Sequence, residues 1–451
     1  MHLPAPFLES LVGIKGFDQL SFEKLHASGE QVTSIRLNPF KNGQPQNELY
    51  DGEVLWCKNA FYLKERPSFT LDPLFHAGAY YVQEASSMFL WHVMEQLIGN
   101  NTSGKKVLDL CAAPGGKSTL LASYFHDGLI VANELIKSRA SILVENAIKW
   151  GQPNIIVTNN DPGHFNQLNG FFDVIVVDAP CSGSGLFRKD PSAINEWSLD
   201  NVVHCSQRQE KILATILPSL KEDGILVYST CSYSKEEDEE IADWLIEKME
   251  MISLKIEKNN EWLIVETQSP KEAAFGYRFY PDLLRGEGFF IATFQKKRDT
   301  ITPRLKEIRL TKPTRTETEQ MNQFFSLRES FVYFKQNDAL RIINQEWMIS
   351  LQQIAAALYI KKAGTEIGTL KWKDIIPSHE LAVSILNKPE LPQIQLTLAE
   401  ALQYIRRKDL NLNAPKGWCL VKYQDLYLGW IKVLPNRINN YYPAEWRILK
   451  D

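Results

Sequence analysis

Lys106-Val107-Leu108-Asp109-Leu110-Cys111-Ala112-Ala113-Pro114-Gly115-Gly116-Lys117 is a short apolar run that opens into a loop of small residues. Ser118 follows as a predicted helix N-cap, with Thr119-Leu120-Leu121-Ala122 behind it. The same alternation continues downstream. Strand-like runs are read at Leu129 to Glu134, Ile155 to Val157, Phe172 to Asp178, Gly224 to Tyr228 and Gly288 to Phe294. Helical periodicity separates several of them, from Lys137 to Trp150 and from Ser206 to Leu220. Continuous apolar strands alternating with helices predict an α/β fold whose parallel sheet is covered on both faces. Ligands are then expected at the C-terminal strand ends.

Around this core the chain has room for about three domains at 451 residues. A hydrophobic share of 44% and a charged share of 23% are ordinary globular values. No apolar run is long enough to span a bilayer. The start, Met1-His2-Leu3-Pro4, lacks the pattern of a signal peptide, so a cytoplasmic protein with no membrane partner is expected. The six cysteines form no CxxC pair, so neither a metal site nor a disulfide framework is expected.

The net charge of −4 conceals an asymmetry. Residues 1–295 hold 25 Lys and Arg against 38 Asp and Glu; residues 296–451 hold 25 against 16. A basic C-terminal third on an acidic body points to a polyanion-binding module. Residues 296–320 are rich in charge and poor in apolar side chains, which reads as a linker. The expected division is an N-terminal α/β domain at 1–75, a catalytic domain at 76–298, a linker at 299–320, an accessory domain at 321–385 and a C-terminal module at 386–451. In the last, Thr397-Leu398-Ala399-Glu400 reads as a capping box. Gly417 to Tyr423 and Leu426 to Val433 read as a β-hairpin. Trp418, Lys422, Trp430, Lys432, Arg437 and Arg447 are candidates for an aromatic and basic RNA face, although core packing is the commoner role of such tryptophans.

The small-residue loop suits either a nucleoside triphosphate or a nucleoside cofactor such as S-adenosylmethionine. Gly116-Lys117-Ser118 ends like a P-loop, but that pattern needs glycine at 111, where Cys111 stands. Glu134 ends the second strand, where a carboxylate can accept both ribose hydroxyls. Asp161 follows the third strand, where it could meet an adenine amino group. Residues Cys111, Ala112, Ala113, Pro114, Gly115, Gly116, Lys117, Glu134 and Asp161 are therefore read as cofactor-binding.

Two further strand ends carry thiols, in Asp178-Ala179-Pro180-Cys181-Ser182-Gly183 and in Ser229-Thr230-Cys231-Ser232. A free cysteine is most often a small buried hydrophobe. Two at the ligand rim, each in a small polar loop, suggest chemistry. Carbon 5 of cytosine is a poor nucleophile until a thiolate adds to carbon 6. A second group can then help remove the carbon-5 proton and expel the thiol. Asp178, beside the pocket, could hydrogen-bond the cytosine N3–N4 edge and stabilise the addition. Amino-group methylation is the rival reaction, but its Asp/Asn-Pro-Pro-Tyr aromatic is absent from this loop. Spacing alone leaves open which thiol attacks.

Together, Asp109 to Lys117, Asp178 to Gly183 and Ser229 to Ser232 resemble RNA cytosine-5 methyltransferases of the Nol–Nop–Sun class. Tyr81 to Ser87, Arg278 to Pro281 and Gly286 to Phe290 match as well. The resemblance implies a Rossmann-like, seven-stranded, S-adenosylmethionine-dependent domain. It also implies Cys231 as nucleophile, Cys181 in product release, and Asp178 in the catalytic and cofactor sites. Lys189 is a candidate substrate contact or a solvated loop lysine. The C-terminal extension is similar to the RsmF-type branch, which acts on small-subunit ribosomal RNA; Leu428-Gly429-Trp430 and Asn439 to Pro443 resemble its PUA-like module. Expected partners are ribosomal RNA or the small subunit, with a monomeric enzyme. Transfer RNA as substrate, or a silent RNA-binding assembly factor, are the alternatives.

Overall fold

The computed structural model describes residues 2–43, 45, 47–297, 304–325, 330–371, 374–386 and 391–449. Residues 299–303 of the expected linker lie outside the described residues, as do 326–329 and 372–373 of the accessory region and 387–390 of the C-terminal module.

The N-terminal part begins with helices Ala5–Leu11 and Gln19–Ser28. An antiparallel sheet follows, made of β1 (Thr33–Leu37), β2 (Tyr50–Glu53), β3 (Ala60–Leu63) and β4 (Tyr80–Val82), in the order β2-β3-β1-β4. Its fourth strand comes from beyond residue 75.

The central sheet is built from β5 (Lys106–Asp109), β6 (Leu129–Asn133), β7 (Ile155–Thr158), β8 (Phe172–Asp178), β9 (Leu220–Thr230), β10 (Met251–Leu254), β11 (Val265–Gln268), β12 (Phe275–Phe279) and β13 (Phe289–Lys296). β7, β6, β5, β8 and β9 are neighbours in parallel. β13 and then β12 continue the sheet antiparallel. This Rossmann-like core carries β10 and β11 on one side. Alternate side chains enter opposite cores: Val107, Ile130, Val174 and Val227 on one face, Leu108, Val131, Ile175 and Leu226 on the other. That alternation explains why the strand runs are apolar throughout, since neither face meets water.

The helix after β5 starts earlier than expected. Gly115, at φ +117°, is its N-cap and the helix spans Gly116–Tyr124. Ser118 is not the cap. Its side chain instead donates to Asp109 Oδ2 at 2.6 Å, tying the helix back to the strand end. A left-handed turn at the cap is available to glycine at low cost, and it lets the chain reverse within the tight loop.

The C-terminal third contains β14 (Phe331–Gln336), β15 (Ala339–Asn344), β16 (Ile360–Lys362), β17 (Thr365–Lys371) and β18 (Asp374–Pro377), then β19 (Gln393–Gln395), β20 (Gly417–Tyr423), β21 (Leu426–Leu434) and β22 (Arg437–Asn440). The expected hairpin is β20–β21, and Thr397 and Glu400 form the expected capping box on helix Leu398–Ile405. The segment read as linker also carries structure, a capped helix at Arg315–Met321.

The accessory region is joined to the central sheet. β16 pairs antiparallel with β7 and extends the central sheet. Leu351 and Ile354 of helix Met348–Ala357 enter the core on one face of that sheet. The last sheet is likewise enclosed. Val421 and Ile431 share a core with Ile35 and Leu37 of β1. Trp430 is fully buried on its other side against Phe324, with Nε1 donating to the Ser378 carbonyl. The aromatic and basic face expected there therefore loses Trp430. Trp418 is half-buried under the Lys432 ammonium, whereas Arg437 and Arg447 are exposed.

Arg36 of β1 joins the N-terminal sheet to the central domain. It is buried, donates to Gln83 Oε1 and Thr119 Oγ1, reaches the Gly116 carbonyl at 3.2 Å, and lies over the Trp150 ring. Burial lowers its pKa to about 10, which leaves it charged near neutrality. Arg36→Leu should destabilise the protein by about 3 kcal/mol, because it strips partners from buried acceptors; an unchanged urea midpoint would contradict this account.

Asp109, at the end of β5, is fully buried, and its Oδ1 has no hydrogen-bond partner among the described residues. Burial raises its pKa to about 7. Because the folded value exceeds the unfolded value of about 3.9, the folded state holds this proton longer. The resulting stabilisation is complete below the unfolded pKa and is lost as pH rises through the folded one. Between pH 5 and pH 8 the loss is on the order of 2 kcal/mol. Asp109→Asn should remove that component, so variant and wild type should diverge in the variant's favour as pH rises. Parallel urea curves at pH 5 and pH 8 test this.

Candidate active site

β8 and β9 are parallel neighbours, with Asp178 registered opposite Ser229. Both chains leave the sheet at the same edge, and the loops that follow carry Cys181 and Cys231. Their Sγ atoms stand 2.9 Å apart, within hydrogen-bond reach and well beyond the ~2.05 Å of a disulfide. Close backbone packing sets this meeting. Gly185 N donates to the Cys231 carbonyl, and Gly288 N donates to the Gly185 carbonyl. A Cβ on Gly185 would lie 2.4 Å from the Gly288 oxygen and 2.8 Å from the Cys231 oxygen, so only glycine fits without moving backbone.

The sulfurs open on a cleft of about 430 Å³. Cys111, Ala112, Ala113, Pro114, Gly116 and Lys117 line it, together with Asp178, Cys181, Cys231 and Lys189. Lys117 Nζ lies 2.8 Å from Asp178 Oδ2, and Ser229 Oγ donates to Asp178 Oδ1 at 2.7 Å. Burial opposes the Lys117 charge, but Asp178 and then Asp109 outweigh it and hold the ammonium above its ordinary pKa. Asp178 is thus oriented through one contact on each oxygen. A carboxylate has about four acceptor positions, so it retains capacity for a ligand.

The thiols differ. The hydrogen bond to Cys231, followed by burial, holds the Cys181 thiol well above its usual pKa. Burial likewise raises Cys111, the third cysteine of the cleft.

Glu134 and Asp161 are not among the residues that line this cleft. Their strands, β6 and β7, run on along the edge away from β8. Glu134 is buried and accepts from Ile136 N, and Arg139 connects it to the loop by donating to the Ala113 carbonyl while lying 3.7 Å from Glu134 Oε2. Asp161 is exposed and caps the turn Pro162–Gln167 by accepting from Gly163 N.

Sequence reading gave no role to Glu84 or Glu287, which border the same cleft. Glu84 accepts from the backbone N–H groups of Ser86, Ser87 and Glu287. It thereby joins two motifs that lie two hundred residues apart, Tyr81 to Ser87 and Gly286 to Phe290. Burial raises Glu287 to about 7. The signal available in sequence was that both stretches matched a family pattern, without a role attached.

Residues 97–295 match the family described as 16S rRNA methyltransferase RsmB/F. Residues 3–85 match the N-terminal domain of 16S rRNA methyltransferase RsmF, and residues 392–448 the methyltransferase RsmF PUA domain. The ribosomal RNA small subunit methyltransferase F of Vibrio parahaemolyticus is 30% identical over 87% of this chain and 85% of its own. That of Psychromonas ingrahamii is 29% identical over 98% of this chain and 97% of its own. Among solved structures, a methyltransferase homolog protein from Pyrococcus horikoshii is 30% identical, with a TM-score of 0.52, covering 65% of this chain and 100% of that one. NSun6 from Pyrococcus horikoshii, solved with SFG, shares the fold at 19% identity and a TM-score of 0.52, covering 66% of this chain and 99% of that one. The matches run from the N-terminal helices to the last sheet, and the chain belongs to the RsmF-type family of 16S ribosomal RNA methyltransferases.

Proposed function

We propose that the enzyme methylates carbon 5 of a cytosine in 16S ribosomal RNA, using S-adenosylmethionine and a covalent bond between Cys231 and the base. The observation that carries this reading is the pair of sulfurs, 2.9 Å apart, facing one cleft with the small-residue loop. The loop suits the nucleoside cofactor. Ala112, Ala113 and Gly116 leave the wall open beside a helix N-terminus, and Arg139 ties Glu134 to the loop. Glu134 is assigned to the ribose, Asp161 to the adenine side, and Cys111 through Lys117 to the body of the cofactor. When bound, the cofactor supplies an electrophilic methyl group.

The chain's own residues do the rest. Cys231 is the sulfur assigned to attack, as the family resemblance implies. Its thiolate forms a bond to carbon 6, and the displaced ring electron pair makes carbon 5 nucleophilic. Asp178, held by Lys117 and Ser229, meets the N3–N4 edge of the base. After carbon 5 has taken the methyl group, its proton passes to a base. The carbon 6–sulfur bond then breaks and returns its pair to Cys231. Cys181 is the neighbouring group assigned to assist that release. The cytosine must be unstacked to enter.

The division of the chain is proposed accordingly: 1–75 and 321–385 brace the catalytic domain 76–298, 299–320 connects it onward, and 386–451 binds RNA through the PUA-type module, with Lys189 as a contact at the cleft. A monomeric, cytoplasmic enzyme is proposed. Among the described residues no helix is long and apolar enough to cross a membrane.

Cys231→Ser should lower methylation of 16S RNA by about a thousandfold or more and form no adduct. Cys181→Ala should leave covalent protein–RNA complex visible on denaturing gels. Near wild-type methylation by Cys231→Ser would overturn the nucleophile assignment; bisulfite sequencing of the product locates the modified base. Asp178→Asn should slow methyl transfer by about a hundredfold while RNA binding persists.

A further inference from the structure

Glu237 lies six residues after Cys231 and is completely buried. It is not among the residues that line the cleft. Four donors converge on its carboxylate. Oε1 accepts from Ser182 N at 2.8 Å and from Gln209 Nε2 at 3.2 Å. Oε2 accepts from Ser182 Oγ at 2.5 Å and from Ser232 Oγ at 2.6 Å. Ser182 directly follows Cys181, and Ser232 directly follows Cys231. One side chain therefore holds the residue after each thiol.

The clamp is itself braced. Gln209 Nε2 also donates to the Pro180 carbonyl, just before Cys181. The hydroxyl of Tyr228 of β9 lies 2.6 Å from the Glu237 carbonyl and 3.0 Å from Gln209 Oε1, with its single proton shared between the two acceptors. Ser234 N donates to Ser232 Oγ, closing the turn after Cys231. A buried carboxylate is costly unless its acceptor positions are filled. Here burial raises the Glu237 pKa, and the four hydrogen bonds oppose that rise. The neighbouring Arg278 is occupied by Asp238 and Glu239 and donates to the Tyr233 carbonyl, so it leaves Glu237 to the serines.

We propose that Glu237 is a positioning residue for the two-thiol chemistry: its carboxylate ties the Cys181 loop to the Cys231 loop and fixes the sulfur–sulfur geometry on which release of the methylated base depends. This rests on the covalent reading given above. Attack by Cys231 needs only one correctly placed sulfur, whereas release needs both, so loosening the clamp should fall on release. The charge of Glu237 also adds, as a lesser cause, to the upward shift of the Cys181 thiol.

Glu237→Gln is the mildest probe. The amide oxygen can still serve Ser182 N and Gln209, but the amide nitrogen no longer accepts from the two serine hydroxyls. Full-length protein is assayed on 16S RNA under single and multiple turnover, and denaturing gels measure the adduct. Multiple-turnover kcat should fall by about tenfold, with single-turnover methyl transfer and KM for RNA each changing by less than about threefold. The adduct fraction should rise several-fold. Ser182→Ala combined with Ser232→Ala removes the same two bonds and leaves the carboxylate. It should show the same split, and it decides the matter if Glu237→Gln does not fold. Equal loss in single and multiple turnover, or adduct at the wild-type level, overturns the proposal. Cys231→Ser and Cys181→Ala run alongside. If Cys231→Ser methylates, the covalent reading fails; if both cysteine variants behave as expected and the clamp variants do not accumulate adduct, only the role of Glu237 fails.

Discussion

Everything at the site depends on the parallel pairing of β8 with β9. The two strands are separated by a long helix in sequence, yet their ends lie side by side, with Asp178 opposite Ser229. The loops that carry Cys181 and Cys231 are fifty residues apart along the chain. They meet because the crossover through helix Leu199–Ile216 returns the chain to the neighbouring position in the same direction. A parallel sheet releases its loops on one edge, and β5, the strand beside β8, releases the small-residue loop there too. The small-residue loop, the carboxylate and both thiols are thus gathered by one feature of backbone hydrogen bonding.

Buried polar contacts then convert that gathering into a defined geometry. Glu84 takes three backbone N–H groups from segments two hundred residues apart. Arg36 reaches from the N-terminal sheet to the helix that follows the small-residue loop. Arg278 sits between Asp238 and Glu239 and holds the chain just past Cys231. The two arginines would be expensive to bury alone, and all three groups are matched by partners that admit few alternative arrangements. Packing at Gly185 and Gly288 leaves the same loops no room to drift.

The C-terminal third is built into this body. β16 adds to the central sheet, helix Met348–Ala357 covers part of one face, and the last sheet packs against the N-terminal one. Its basic balance suits RNA, but the fold gives several of its aromatic side chains to internal cores. Charge composition reports on a surface as a whole. Which tryptophan reaches that surface depends on what covers it, and Phe324 covers Trp430.

The sequence by itself determined the α/β class, the run of strands from β5 to β9, the hairpin near the C-terminus and the two thiol loops. These are local signals: apolar runs of strand length, small-residue loops, capping residues. It also identified Asp178, because an acidic residue ending an apolar strand is conspicuous. It misplaced the start of the helix after β5, since Ser118 looks like a cap until Asp109 claims its hydroxyl. Arg36, Glu84 and Glu237 were not legible. Each acts through partners distant in sequence or across a loop, and nothing in its own neighbourhood marks it. Only the tertiary structure decided that the two thiols touch and that Lys117 pairs with Asp178. Distance between remote residues follows from strand order and packing, and those are properties of the whole chain.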